Sequence, residues 1–290
     1  FTNAVGSHTQ SDGSDLDEYL NKLFEVLNIE EGKRDNFPDH FDVFPYVNGG
    51  LFSKNIKAPR FNKRSREMLI DSGVLGWASI NPDIFGSMMQ AVVTVEDRSS
   101  VGMHYTSVVN IMKVIEPLFL NDLYEEFDKA KGSQDKLNKL LARLSKIKIF
   151  DPACGSGNFL IIAYKELRRL EMKILRESGQ IALSNISLDQ FYGIEIEDFS
   201  HEIAILSLWL AKHQMSVEFF AEFGRRKPIL PLKSTGNIIK GNACRIDWED
   251  VCPKVKDDEI YILGNPPYLG QKKQDKSQKQ DIVEIFRHLS

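Results

Sequence analysis

Cysteine is scarce: Cys154, Cys244 and Cys252 are the only three, and no two of them form a CxxC pair. An odd, scattered set argues against a disulfide framework and a zinc site, and reads as reduced thiols in a cytoplasm. No apolar run approaches the roughly 18 residues of a membrane span, so no spanning helix is expected. The opening residues lack the basic and apolar segments of a signal peptide. There is no excess of positive charge: 37 Lys+Arg stand against 41 Asp+Glu, a net of −4, so net charge gives no support for nucleic-acid binding. Repeats and low-complexity tracts are absent. What is present is enough for a core, since 42% of the 290 residues are hydrophobic and 18 are Phe. That excludes a disordered chain and permits one large domain or two modest ones.

Charge is uneven along the chain. Lys57, Arg60, Lys63, Arg64 and Arg66 fall within ten residues without an acid, and Lys272, Lys273, Lys276 and Lys279 are interrupted only by Asp275. A solvated face is the ordinary reading of such runs. Residues 1–15 are rich in Gly, Ser, Asn and Asp and are expected to be a flexible arm. Helical spacing recurs over 16–29, 65–75, 84–95, 106–127 (with a perturbation at Pro117) and 137–144, so 16–100 reads as a helical N-terminal region. From residue 147 short apolar runs alternate with helices: strands near 147–150, 191–196, 238–240 and 259–263, helices over 158–178 and 199–213. That is the signature of parallel βαβ units. A boundary is expected near residue 100, with 101–290 as a catalytic domain incomplete at its C-terminus. A helical pattern over 281–289 stops short, and the chain reads as a piece of a larger protein.

Three motifs carry chemistry. Phe150-Asp-Pro-Ala-Cys-Gly-Ser-Gly-Asn-Phe159 sits where a strand gives way to a helix. Gly155 and Gly157 let the backbone turn and approach a ligand, and the helix that follows offers unpaired N–H groups. The spacing matches neither GxGxxG nor a P-loop. Asp151 at its head suits a ligand with a cationic point. Glu195, in Tyr192-Gly-Ile-Glu-Ile-Glu197, ends the second strand, where doubly wound folds bind ribose hydroxyls. It lies 38 residues after Gly157, against about 20 in a dinucleotide fold. Asn265-Pro-Pro-Tyr268 ends the fourth strand. The prolines impose extended backbone, which sets the Asn265 side chain and the Pro266 carbonyl side by side as two acceptors. Tyr268 adds a flat face for stacking. The motif reads as a claw for a planar base bearing an amine.

Together these motifs resemble the S-adenosylmethionine-dependent amino methyltransferases of DNA. Gly102-Met-His-Tyr-Thr-Ser107 ahead of the glycine loop is similar to the remaining cofactor motif in the gamma-class order. Phe44-Pro-Tyr-Val-Asn-Gly-Gly-Leu-Phe52 and Pro82-Asp-Ile-Phe-Gly86 resemble the large adenine-specific, type IIG-like methylases of restriction–modification and phage defence. The resemblance implies an α/β fold: a Rossmann-like class I methyltransferase sheet, truncated here, preceded by an α-helical region. It implies S-adenosylmethionine as cofactor, held by Tyr105, Thr106 and Ser107, by Asp151, Pro152, Ala153, Cys154, Gly155, Ser156, Gly157 and Asn158, and by Glu195, Ile196 and Asn242. Backbone N–H groups of the loop and Asp151 would surround the methionine moiety, and Thr106 and Ser107 would bind its carboxylate. Asn242 stands where relatives often place an Asp toward the adenine amine. Asn265, Pro266, Pro267 and Tyr268 would form the catalytic claw, acting without a metal.

The implied substrate is double-stranded DNA with an adenine flipped out for methylation at N6. The lysines after Tyr268 would be a mobile loop on phosphates. Further domains for target recognition, and any nuclease, would lie outside this segment. N4-cytosine methylation, methylation of RNA or of a protein glutamine through the same claw, and a non-catalytic DNA-recognition subunit remain open. Labelled-methyl transfer onto DNA of defined base content separates them.

Overall fold

The computed structural model describes residues 1–34, 36–46, 57–75, 84, 106–179, 184–224, 237–268, 270, 272 and 274–287. It separates into two compact units, Phe1–Ile80 with Ile229–Ser234, and Asn81–Pro228 with Thr235–Ser290. Tyr105, Lys273, residues 47–52 and all of the 84–95 segment except Ile84 lie outside the described residues.

The first unit holds α1 (Thr2–His8), α2 (Leu16–Leu27) and α3 (Lys63–Val74). Val5, Leu16, Tyr19, Leu20, Leu23, Val26, Phe41 and Phe44 form its core. Each fully buried aliphatic among them contributes roughly 1.5–3 kcal/mol. The expected flexible arm is therefore helical over Thr2–His8, with Val5 fully buried. The groups that pin it are distant in sequence. The buried Arg66 guanidinium donates to Thr9 Oγ1 at 2.9 Å and to Gly6 O at 3.1 Å.

Among the described residues of the second unit, α4 (Val108–Ile115) runs through a π-helical turn at Glu116–Leu120 into α5 (Asn121–Ala130). Pro117 lies in that turn. Its missing N–H and its ring break the i→i−4 ladder, and the wider π turn absorbs the break. After α6 (Gln134–Leu144) come β1 (Ile147–Asp151), α7 (Asn158–Ser178), β2 (Phe191–Glu195), α8 (Asp198–Phe223), β3 (Asn237–Lys240), α9 (Trp248–Val251), β4 (Glu259–Ile262) and α10 (Lys276–Ile285). The helix expected over 199–213 continues to Phe223, where Gly224 adopts φ 65° and ends it. The C-terminal helix starts earlier than expected, at Lys276, because Asp275 and Gln278 close a capping box. Lys276 and Lys279 accordingly sit on a helix and not in a loop. Among the described residues, no helix is long and apolar enough to cross a membrane.

Among the described residues four strands form one parallel sheet, in the order β3-β2-β1-β4. The steps β1–α7–β2 and β2–α8–β3 move in one direction across the sheet. Right-handed crossovers put both helices on the same face, where they pack against each other. The chain then reverses and jumps from β3 past β1 to β4. The α9 segment on that route packs Val251 and Cys252 with Phe150, Tyr192 and Ile194. Order reversal between β1 and β4 makes their C-terminal ends a topological switch point, where open α/β sheets form a ligand crevice. Arg143 on α6 ties down β4 through Glu259, at 2.7 and 2.9 Å.

Candidate active site at the switch point

Two of the three motifs meet at this crevice: the glycine loop leaves β1, and residues 264–268 leave β4. Gly155 and Gly157 take φ of 55° and 81°, the left-handed region that L side chains resist. The loop is more self-contained than expected. Ala153 N–H donates to Asp151 Oδ1, Cys154 N–H to Ile194 O, Gly155 N–H to Glu195 Oε2 and Gly157 N–H to Cys154 O. These four donors hold the loop's shape and are not free for a ligand. What remains is Ser156 and the first turn of α7. Cys154 is buried, and burial pushes its thiol up, which suits a packing role in the turn. Pro152 and Ala153 are half-buried parts of the turn.

Asp151 is buried, and its Oδ2 has no partner among the described residues. Burial, aided by the charge of Glu195, pushes its carboxyl pKa up to about 7. Asn158 Oδ1, at the start of α7, is likewise buried without a partner. Two acceptors at one loop are thus open to donors from water or a ligand. The Asp151 carboxylate also explains the glycine that opens the β4 exit. A Cβ on Gly264 would overlap Asp151 Oδ1. Gly264→Ala is expected to lower stability by about 1–3 kcal/mol through this overlap. A denaturation midpoint equal to the parent's would remove the close approach.

Glu195 ends β2 facing the loop. Oε2 accepts from Gly155 N–H and Oε1 from Glu197 N–H, each at 2.8 Å. Burial raises its pKa. A carboxylate has about four acceptor positions, so both oxygens keep capacity for hydroxyl donors. Beside it Ile196 and Phe199 are exposed, an apolar surface of which sequence reading found only the first. Asn242, expected to face the adenine amine, is engaged on both ends of its amide, and its Oδ1 keeps one acceptor position. Its Nδ2 donates to Asp281 Oδ2 and its Oδ1 accepts from Cys244 N–H, each at 2.9 Å. Arg245 Nε adds a 2.7 Å bond to Asp281 Oδ1. The pair keeps the Asp281 carboxyl below the usual carboxylate range. Asn242 and Arg245 anchor α10.

At the β4 exit, Asn265, Pro266 and Pro267 are exposed and Tyr268 is 87% exposed. Asn265 Nδ2 donates to Thr106 Oγ1 at 3.1 Å. This brings a residue from ahead of α4 to the claw. Ser107 sits at the N-cap position of α4 without a side-chain cap bond.

A family model described as the MmeI DNA-methyltransferase domain matches residues 127–290, and one described as the MmeI helicase spacer domain matches 1–52. DNA methyltransferase A of Bacillus subtilis (strain 168) is 50% identical over 99% of this chain and 33% of its own length. The type IIL restriction-modification enzyme MmeI, whose structure was solved in complex with DNA, is 44% identical. It superposes with a TM-score of 0.89 over 99% of this chain and 39% of its own. The chain thus spans a third to two fifths of the length of these relatives.

Proposed function

We propose, because the chain belongs to the family of MmeI-type DNA-methyltransferase domains, that it carries the methyl-transfer centre of a larger restriction–modification enzyme. The methyl donor is S-adenosylmethionine, and the acceptor is the N6 amine of an adenine in double-stranded DNA. The observation that carries this reading is the convergence of the glycine loop and the claw on the two sides of one switch point. The residues fit the donor. Asp151 Oδ2 and Asn158 Oδ1 are buried acceptors in want of N–H donors, and Asp151 suits an ammonium. Glu195 has capacity for ribose hydroxyls. Ile196 and Phe199 offer an apolar face to a purine. Tyr105 and Ser107 complete the proposed set, while Pro152, Ala153, Cys154, Gly155, Ser156 and Gly157 shape the loop.

When bound, S-adenosylmethionine supplies an electrophilic methyl on a sulfonium. The chain's own work is on the nucleophile. Adenine N6 is a weak one because its lone pair is delocalised into the ring. Asn265 Oδ1 and the Pro266 carbonyl accept its two hydrogens and favour a pyramidal nitrogen with a directed lone pair. The chain contributes positioning and electrostatics and forms no covalent intermediate of its own. An amide carries both a donor and an acceptor, so the donor end must be held elsewhere. Thr106 Oγ1 holds it. The Thr106 hydroxyl hydrogen remains free to donate to the carboxylate of the methyl donor, so one residue can serve both sides. Pro267 stiffens the claw, and Tyr268 presents an exposed ring on which a flipped base stacks.

Cytosine N4 presents the same two hydrogens, so base identity needs a direct test. With labelled donor, the full-length enzyme is expected to label DNA containing adenine and to yield N6-methyladenine on hydrolysis. Label recovered as N4-methylcytosine would correct the base. Label recovered only in RNA or protein would overturn the DNA substrate.

A further inference from the structure

The N-terminal unit carries a charged surface that takes no part in the site above. Residues 57–66 hold five cations and no carboxylate. Their roles divide. Arg66 is buried and spent on Thr9 and Gly6. Lys57, Arg60, Lys63 and Arg64 are exposed, and among the described residues their side chains make no ion pair or hydrogen bond. Their backbone is fixed all the same. Ala58 N–H donates to Asn21 Oδ1 at 2.7 Å, and Ala58 and Phe61 pack on the core. Asn62 and Ser65 close a capping box on α3. The first turn of α3 holds no acid. The rest of this unit is acidic, with ten acidic residues against three basic ones over 1–46. An anionic polymer would be repelled elsewhere on those segments and attracted here.

We infer that Lys57, Arg60, Lys63 and Arg64 form a docking surface for the sugar–phosphate backbone of duplex DNA, separate from base recognition and from the methyl-transfer site. The outward side chains favour phosphate over a protein partner. Within 57–66 the outward side chains besides the cations are Pro59 and Asn62, with no exposed aromatic or branched aliphatic as an anchor; the exposed Glu67 and Met68 follow on the next turn of α3. Pre-set cations on a pinned backbone suit sequence-independent phosphate binding. The inference rests on the reading that the full enzyme acts on DNA.

The test uses the full-length enzyme carrying Lys57→Gln, Arg60→Gln, Lys63→Gln and Arg64→Gln together. DNA affinity is measured between about 50 and 200 mM salt, on duplexes with and without the target sequence. The slope of log affinity against log salt is expected to become shallower by about 0.9 for each phosphate no longer neutralised, so by about 2 to 4 in all, and equally on both duplexes. Donor affinity and melting midpoint should match the parent. An unchanged slope overturns the proposal, even if subunit or domain association changes. Loss confined to the target duplex overturns it too, since that is base readout. Asn265→Ala run in parallel keeps the readings apart: it should keep the parental slope while losing methylation. Methylation surviving in it sinks the claw and not the docking surface.

Discussion

Asn265→Ala is expected to remove nearly all methyl transfer, lowering kcat by about 10²–10³-fold or more, while the affinity for S-adenosylmethionine stays within about twofold of the parent. Loss of one preorganised polar group in a reacting site typically has that size. Here the group also governs the nitrogen's shape. Without Oδ1 only the Pro266 carbonyl remains, one N6 hydrogen is unheld, and the lone pair relaxes back into the ring. The split between kcat and donor affinity follows from the topology. Asn265 leaves β4, whereas the proposed donor-binding residues Asp151, Asn158 and Glu195 stand on the β1 and β2 exits. Folding should be untouched. Asn265 is exposed, and its side chain makes one bond, to the Thr106 hydroxyl, which solvent can replace. Single-turnover transfer at saturating donor, with calorimetry for donor binding, measures both. Transfer at the parental rate would refute the claw; lost donor binding at an unchanged melting midpoint would move Asn265 into the cofactor site.

How far the sequence revealed this site depends on how local each part is. The glycine loop and the claw are runs of consecutive residues at strand ends, so residue type alone fixed their backbone: glycines for positive φ, prolines for extended chain. The four strands and the long α7 were legible for the same reason. Period-2 and period-3.6 patterns are short-range signals. What stayed hidden is long-range. Thr106 meets Asn265 across 159 positions and Asn242 meets Asp281 across 39. No spacing rule joins such pairs. The helix at Thr2–His8 escaped for the same reason, since Arg66, which ties it down, is about 60 residues away. The C-terminal helix was a different kind of error. Its capping box at Asp275 and Gln278 was readable, but the lysine run pointed to a loop. The glycine loop's N–H groups show a third limit. Sequence indicates that a tight turn exposes donors, but not that Ile194, Asp151, Cys154 and Glu195 consume them.

Asp151→Asn should make the protein more stable near pH 8 and bind S-adenosylmethionine at least about tenfold more weakly. The stability half follows from where the carboxyl titrates. Its pKa is raised from an ordinary value near 4 to about 7, chiefly by burial. Below about pH 4 the group is protonated in both folded and unfolded chains and costs nothing. Between about 4 and 7 the folded state holds a proton that the unfolded state has released, so this group's contribution falls as pH rises. Above 7 the full penalty of a buried carboxylate with an unpartnered oxygen applies, at most about 4 kcal/mol at 1.36 kcal/mol per unit. Asparagine keeps the acceptor for Ala153 N–H and cannot ionise, so the variant's advantage should be absent near pH 4, grow with pH and level off above 7. The affinity half follows from charge. A cationic donor stabilises the carboxylate, so binding near pH 6 to 7 should release a proton and tighten as pH rises, whereas the variant should show neither. Urea midpoints across pH 4–8, and binding calorimetry in two buffers of different ionisation heat, read the two halves separately. Parental donor affinity in the variant would show that the buried oxygen faces no cation, leaving Asp151 a strained structural acid beneath Gly264.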